Sequence, residues 1–245
     1  MDEYEDALRE RRYAILSRMD RALQRSGRPR KAAQLMAVSK TVDPVKVEAA
    51  IRVGYRVFGE NRPQELVRKM NALAPRQELP QVRFDMIGNL QKNKINAVLG
   101  RAAYIQSISS ESIARAVSVR VEREIAARHM IEPQPVLLEV NVSGETSKAG
   151  FAPEELRASM DRLRSLCGIR IAGMMTMAPR AQPTLARATF RGLRELRDEL
   201  VKAYDGLDLS VLSCGMSEDF EIALEEGATL IRLGRVVFDP SFELE

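Results

Sequence analysis

Eight short apolar runs, at residues 35–39, 55–59, 83–88, 102–108, 135–142, 169–177, 207–214 and 229–233, recur along this chain. Segments of helical period lie between them, at 44–53, 63–73, 112–128, 153–166, 185–204 and 218–226. Such alternation predicts a parallel sheet whose strands are covered by helices. Eight strands in 245 residues favour a closed (β/α)8 barrel of the TIM type over an open sheet. Asp43-Pro44 reads as an N-cap followed by a first-turn proline, and Ser217-Glu218-Asp219 places acids at the start of the last long helix. The chain ends soon after the eighth run, so a final covering helix is missing. The amphipathic segment 3–26, with Leu8, Tyr13, Ile15, Leu16, Met19 and Leu23 at helical spacing, is expected to fill that gap beside the last strand. No linker and no internal repeat divides residues 1–245, which predicts a single domain.

Composition narrows the function classes. With 45% hydrophobic residues the chain can bury a full core, and no run is long enough to cross a membrane. The acidic start Asp2-Glu3-Tyr4-Glu5-Asp6 is unlike a secretory signal, so a cytoplasmic protein is expected. Two distant cysteines, Cys167 and Cys214, and one histidine, His129, argue against a disulfide framework, a metal site or a histidine-based triad. The net charge of +4 does not signal nucleic acid, because the arginines are interspersed with acids and not with aromatics.

Of the 38 basic residues only 8 are lysine, and one of them, Lys40, ends the first apolar run. A lysine amine can condense with an aldehyde to an imine, which an arginine cannot do. In a β/α barrel the strand C-termini and the loops after them build the site. Here those points carry Ser39-Lys40-Thr41, Gly59-Glu60-Asn61, Gly88-Asn89, Ser143-Gly144, Thr176, Ser213-Cys214-Gly215-Met216-Ser217 and Arg232-Leu233-Gly234-Arg235. The last two loops suit a phosphate: glycines permit close backbone approach, Ser213 and Ser217 can donate hydroxyl hydrogen bonds, and a helix starts nearby. An amine opposite a phosphate cradle describes a site for a phosphorylated aldehyde, with pyridoxal 5'-phosphate as the candidate. An aldolase using Lys40 without any cofactor fits the same residues, and the colour of the purified protein separates the two.

Seven ordered segments carry a family resemblance: Ala37-Val38-Ser39-Lys40-Thr41, Phe58-Gly59-Glu60-Asn61-Arg62-Pro63-Gln64-Glu65, Ile87-Gly88-Asn89-Leu90-Gln91-Lys92-Asn93-Lys94, Val140 to Gly150, Gly173-Met174-Met175-Thr176-Met177, Leu212 to Phe220 and Arg232-Leu233-Gly234. Together they resemble the pyridoxal phosphate homeostasis proteins of the YggS/PROSC type. The resemblance implies a barrel akin to that of alanine racemase, with pyridoxal phosphate held as a Schiff base on Lys40 and a role in vitamin B6 supply without an established reaction. It implies that Ser213, Ser217, Gly234 and the backbone amide of Arg235 hold the phosphate, that Arg232 lies under the cofactor, and that Asn61 lies near the ring. It further implies pyridoxal-dependent apoenzymes as acceptors and a monomer or weak dimer. The chain departs from the family pattern at Asn89, where a histidine is usual, at 106–110, and at Arg235, where a threonine or serine is more common.

An arginine beside the pyridine nitrogen would leave that nitrogen unprotonated, which suits racemisation or storage better than transamination. Racemisation also needs an acid/base opposite the lysine. None of the five tyrosines stands at a strand C-terminus, and His129 reads as a solvated helix cap. The sequence therefore favours a carrier, with a racemase of the alanine racemase barrel type as the alternative. Lys148 is a candidate second amine for handing the aldehyde on, and Cys214 reads as a packing residue.

Overall fold

A computed structural model describes residues 2–239 and 241–242. Eight parallel strands close into a barrel in chain order: β1 (Gln34–Val38), β2 (Val57–Glu60), β3 (Arg83–Met86), β4 (Ile105–Ile108), β5 (Gln134–Glu139), β6 (Ile169–Met175), β7 (Val211–Ser213) and β8 (Leu230–Leu233). Closure comes from β8 pairing with β1, where Met36 faces Arg232 and Ala37 faces Leu233. All eight expected strands form with shifted ends: β1 and β5 start one residue earlier than expected, β2 ends one residue later, and the others lie within the expected runs.

Around the barrel lie α1 (Asp2–Arg25), α2 (Pro44–Val53), α3 (Pro63–Leu73), a 3-10 turn (Lys92–Ala97), α4 (Glu111–Ala126), α5 (Pro153–Arg164), α6 (Pro183–Ala203), α7 (Phe220–Glu225) and α8 (Arg235–Phe238). Proline opens α2, α3, α5 and α6, where its preset φ favours the first turn and its missing N–H costs nothing. Asp43 occupies the N-cap of α2, but its side chain makes no capping hydrogen bond and lies 3.6 Å from Arg68 instead.

The C-terminal end differs from expectation. The last long helix is only the six-residue α7, and 217–219 form the turn before it. Asp219 takes the Met216 amide at 2.6 Å, and the Met216 carbonyl accepts from the amides of Asp219 and Phe220, which closes that turn locally. A final helix does exist, as the single turn α8. α1 packs against α7, α2 and α8, and so fills the gap in the helical layer. Leu8, Ile15, Met19 and Leu23 are its buried stripe, with Leu16 partly buried beside them, whereas Tyr13, expected on the same stripe, is exposed. Arg18 pairs with Glu221, and Arg25 bonds Glu221 and Glu225 at 2.9 and 2.7 Å, which fixes α1 on α7.

The main apolar core lies between strands and helices. Inside the barrel the filling is partly polar. Val38 and Ile87 line the mouth, so their parity, shared by Gly59 and Asp85 through the register, faces inward. Asp85 accepts from Gln106 at 2.8 Å, and the Gln106 carbonyl oxygen accepts from Ser213 Oγ at 2.6 Å. Ser213 in turn receives Arg232, so hydrogen bonds run across the interior from β3 to β8.

Candidate functional site

A cavity of about 630 Å3 opens at the C-terminal ends of the strands. Lys40, Asn61, Ser217, Arg232, Gly234 and Arg235 all line it. Lys40 stands two residues beyond β1 and is exposed, so its amine reaches the mouth from a turn and not from the buried strand end. Val38, Ile87, Met175 and Met177 supply apolar wall, as a planar aromatic ring requires.

Arg232 is the buried cation of the site. One guanidinium nitrogen donates to the Ser213 carbonyl at 2.6 Å and to Ser213 Oγ at 2.8 Å, and the other donates to the Thr176 carbonyl at 3.0 Å. These bonds pin the plane of the guanidinium. Burial pushes its pKa down, while the acids Asp219 and Glu139 pull it back up, and an arginine stays charged under such a shift. Glu139, buried at the end of β5, is pushed up by desolvation and only partly offset by Arg232.

Ser213 is absent from the cavity wall. It is fully buried, with its hydroxyl donating to Gln106 and accepting from Arg232. Its contribution is to hold Arg232, because both sides of the hydroxyl are engaged inside the barrel. The Arg235 guanidinium pairs with Glu218 and lies 5.2 Å over the Phe242 ring. The added cation is thus neutralised, whereas the first amides of α8 have no partner inside their helix and start at the cavity.

The glycines of the two loops serve different ends. Gly215 adopts φ of +90°, and a Cβ there would meet the Ala223 Cβ at 2.6 Å, so the β7–α7 turn needs glycine for its own geometry. Gly234 has an ordinary φ of −110°, and a Cβ there would touch Val38 only at van der Waals distance. Nothing in the fold demands glycine at 234. A side chain at that position would stand in the wall beside the α8 amides, the place an anion would take. Amine, anion cradle, buried cation and apolar wall together fit a phosphorylated aromatic aldehyde.

Other candidates lie outside the site or add to it. Lys148 pairs with Glu145 and donates to the Met177 carbonyl at 3.1 Å, behind the wall. Asn89 is exposed and absent from the wall, so the departure there does not reach the cavity. Cys214 is buried with its thiol pushed up to about 12 by desolvation, which keeps it a packing residue. His129 is exposed and bonded to Glu124 at 2.9 Å. Lys46 also lines the cavity, 5.4 Å over the Tyr4 ring, and nothing in its sequence surroundings separates it from a surface lysine.

The family model of the alanine racemase N-terminal domain matches residues 13–241. A pyridoxal phosphate homeostasis protein of Aquifex aeolicus is 38% identical over 230 residues, spanning 94% of this chain and 96% of its own. The chain belongs to the pyridoxal phosphate homeostasis family. Solved structures similar to this family member include a protein of unknown function from Bifidobacterium adolescentis, at 33% identity and a TM-score of 0.88 over 97% of each chain. PipY of Synechococcus elongatus, solved with PLP bound, is similar at 30% identity and a TM-score of 0.79, covering 94% of this homeostasis-family chain and 99% of its own.

Proposed function

We propose that this protein binds pyridoxal 5'-phosphate reversibly, as a Schiff base on Lys40, and acts in the cytoplasm as a carrier that supplies the cofactor to apoenzymes. The reading is carried by one observation: Lys40, the Ser217, Gly234 and Arg235 cradle, and Arg232 meet in a single cavity. The bound cofactor would supply an aldehyde that condenses with an amine and releases one water. Ser217 and the first amides of α8 would hold the phosphate. Arg232, fixed by Ser213 and Thr176, would face the ring nitrogen as a permanent cation that donates no proton. Asn61 would sit at the ring edge.

Holding is favoured over turnover by how the acids of the wall are used. Among the described residues lining the cavity there is no tyrosine or histidine, and the carboxylates are Asp43, Glu218, Asp219 and Asp239. Glu218 pairs with Arg235, Asp219 takes the Met216 amide, and Asp239 takes the amide and hydroxyl of Ser241. Asp43 lies out toward Arg68. Glu218, Asp219 and Asp239 are engaged by these partners and Asp43 is solvent-exposed, which disfavours an acid/base poised against Lys40. Incubating the loaded protein with single amino acids in deuterated water tests this: imine exchange without α-proton exchange is expected, and α-deuteration at enzymatic rates overturns the carrier reading in favour of a racemase.

A further inference from the structure

Behind the site, between β1, β2 and α3, lies a charged cluster none of whose residues lines the cavity. Ser39, Glu60 and Lys69 are each fully buried. The Lys69 ammonium donates to the Ser39 carbonyl at 2.6 Å and to Glu60 Oε1 at 2.5 Å, and Ser39 Oγ donates to the same carboxylate oxygen at 2.5 Å. The Ser39 amide donates to the Gly59 carbonyl at 3.0 Å, and the Ser39 carbonyl also accepts from the Val42 amide at 2.9 Å. Every polar atom of Ser39 is therefore tied down, from the strand beside it, the helix behind it and the turn after it.

A buried ion pair is a poor way to gain stability, since desolvation cancels most of the attraction and apolar replacements often serve as well. This pair is not even complete: Glu60 Oε2 is buried without a partner. What it does achieve is local. Ser39 immediately precedes Lys40, whose flexible side chain is exposed at the cavity mouth. With the Ser39 carbonyl pinned, the start of that side chain is fixed and only its own torsions remain free. Placement at this scale governs reactivity, and a misplacement of about 1 Å can cost on the order of a hundredfold in rate.

We propose that Lys69 and Glu60 are positioning residues, which hold the Ser39 peptide so that the Lys40 amine, and not the neighbouring Lys46 amine, meets the aldehyde. The inference rests on the reading of Lys40 as the Schiff-base residue. Lys46 lines the same cavity, so selectivity between two amines must come from placement.

The test compares wild type with the double variant Lys69→Met/Glu60→Gln, which removes both charges together and so leaves neither buried alone. Each protein is mixed with pyridoxal 5'-phosphate and trapped with borohydride over time, and the labelled peptides are quantified. The double variant is expected to label Lys40 about tenfold or more slowly and to shift label toward Lys46. A purely structural role would lower the melting temperature without moving that ratio. Lys69→Met/Glu60→Leu, a fully apolar replacement of the kind that often substitutes for a buried ion pair without loss of stability, is the second variant and decides the matter where the first does not fold: it too removes the Lys69 bond to the Ser39 carbonyl, and the same slowing and shift of label are expected. Wild-type rate and ratio in whichever of the two double variants folds overturn the inference alone. A wild type that traps no adduct on Lys40 overturns the Schiff-base reading and this inference with it.

Discussion

Arg232 shows how much of the site is made by groups that never enter the cavity. Its guanidinium is fixed by carbonyls on β7 and after β6, and by the Ser213 hydroxyl, which is itself held by Gln106. Lysine at 232 would keep a charge but could not span the Ser213 and Thr176 carbonyls with a planar fork. Arg232→Lys is expected to weaken pyridoxal phosphate retention about tenfold or more, measured by equilibrium dialysis, because the cation would no longer be aimed. At the far end of the same network Asp85 is pushed up to about 6 by burial, against an ordinary value of 3.8. The folded protein then holds a proton between those pH values that the unfolded chain does not. Stability from this group is therefore greatest below pH 3.8 and is lost as pH rises through 6. Asp85→Asn removes this dependence. Denaturant titrations of variant and wild type are expected to agree near pH 4 and to separate toward pH 7, in the variant's favour, by up to about 3 kcal/mol.

At the scale of elements, the β7–α7 turn and helix α1 carry the most testable packing. Gly215→Ala forces a Cβ onto Ala223 at a φ of +90°, and is expected to cost about 1–3 kcal/mol in unfolding free energy while disturbing the backbone that leads to Ser217. Ile15→Ala opens a cavity beneath α1 and is expected to cost about 2–5 kcal/mol. Arg25→Ala, at the exposed end of the same interface, is expected to change stability by less than about 1 kcal/mol. These elements were legible in the sequence to different depths. The strands could be read because a buried strand is a continuous apolar run, and α2 and α3 because proline marks their first turns. The shortness of α7 could not, since the Asp219 carboxylate that closes the turn before it depends on a backbone fold and not on a periodicity. Lys69 drew no signal at all. A lysine on a helix argues for solvent, and only the arrival of Glu60 and the Ser39 carbonyl from two strands makes its burial tolerable.

For the whole molecule, the barrel places every functional group at one end through its topology. Lys40, Asn61, Ser217 and Arg232 are far apart in sequence, yet each belongs to a strand C-terminus or the loop after it. That is why the site was largely readable once a barrel was inferred, and why Ser213, a strand residue of inward parity, belongs to the interior instead. No helix among the described residues is long and apolar enough to cross a membrane. The central claim, that the amine of Lys40 carries the cofactor, is tested most directly by reducing the pyridoxal phosphate-loaded protein with borohydride, digesting it, and locating the modified residue by mass. A stable adduct on Lys40, absent from Lys40→Ala protein, is the expected result. An adduct seated on another lysine, or an undiminished yield from Lys40→Ala, would contradict the account.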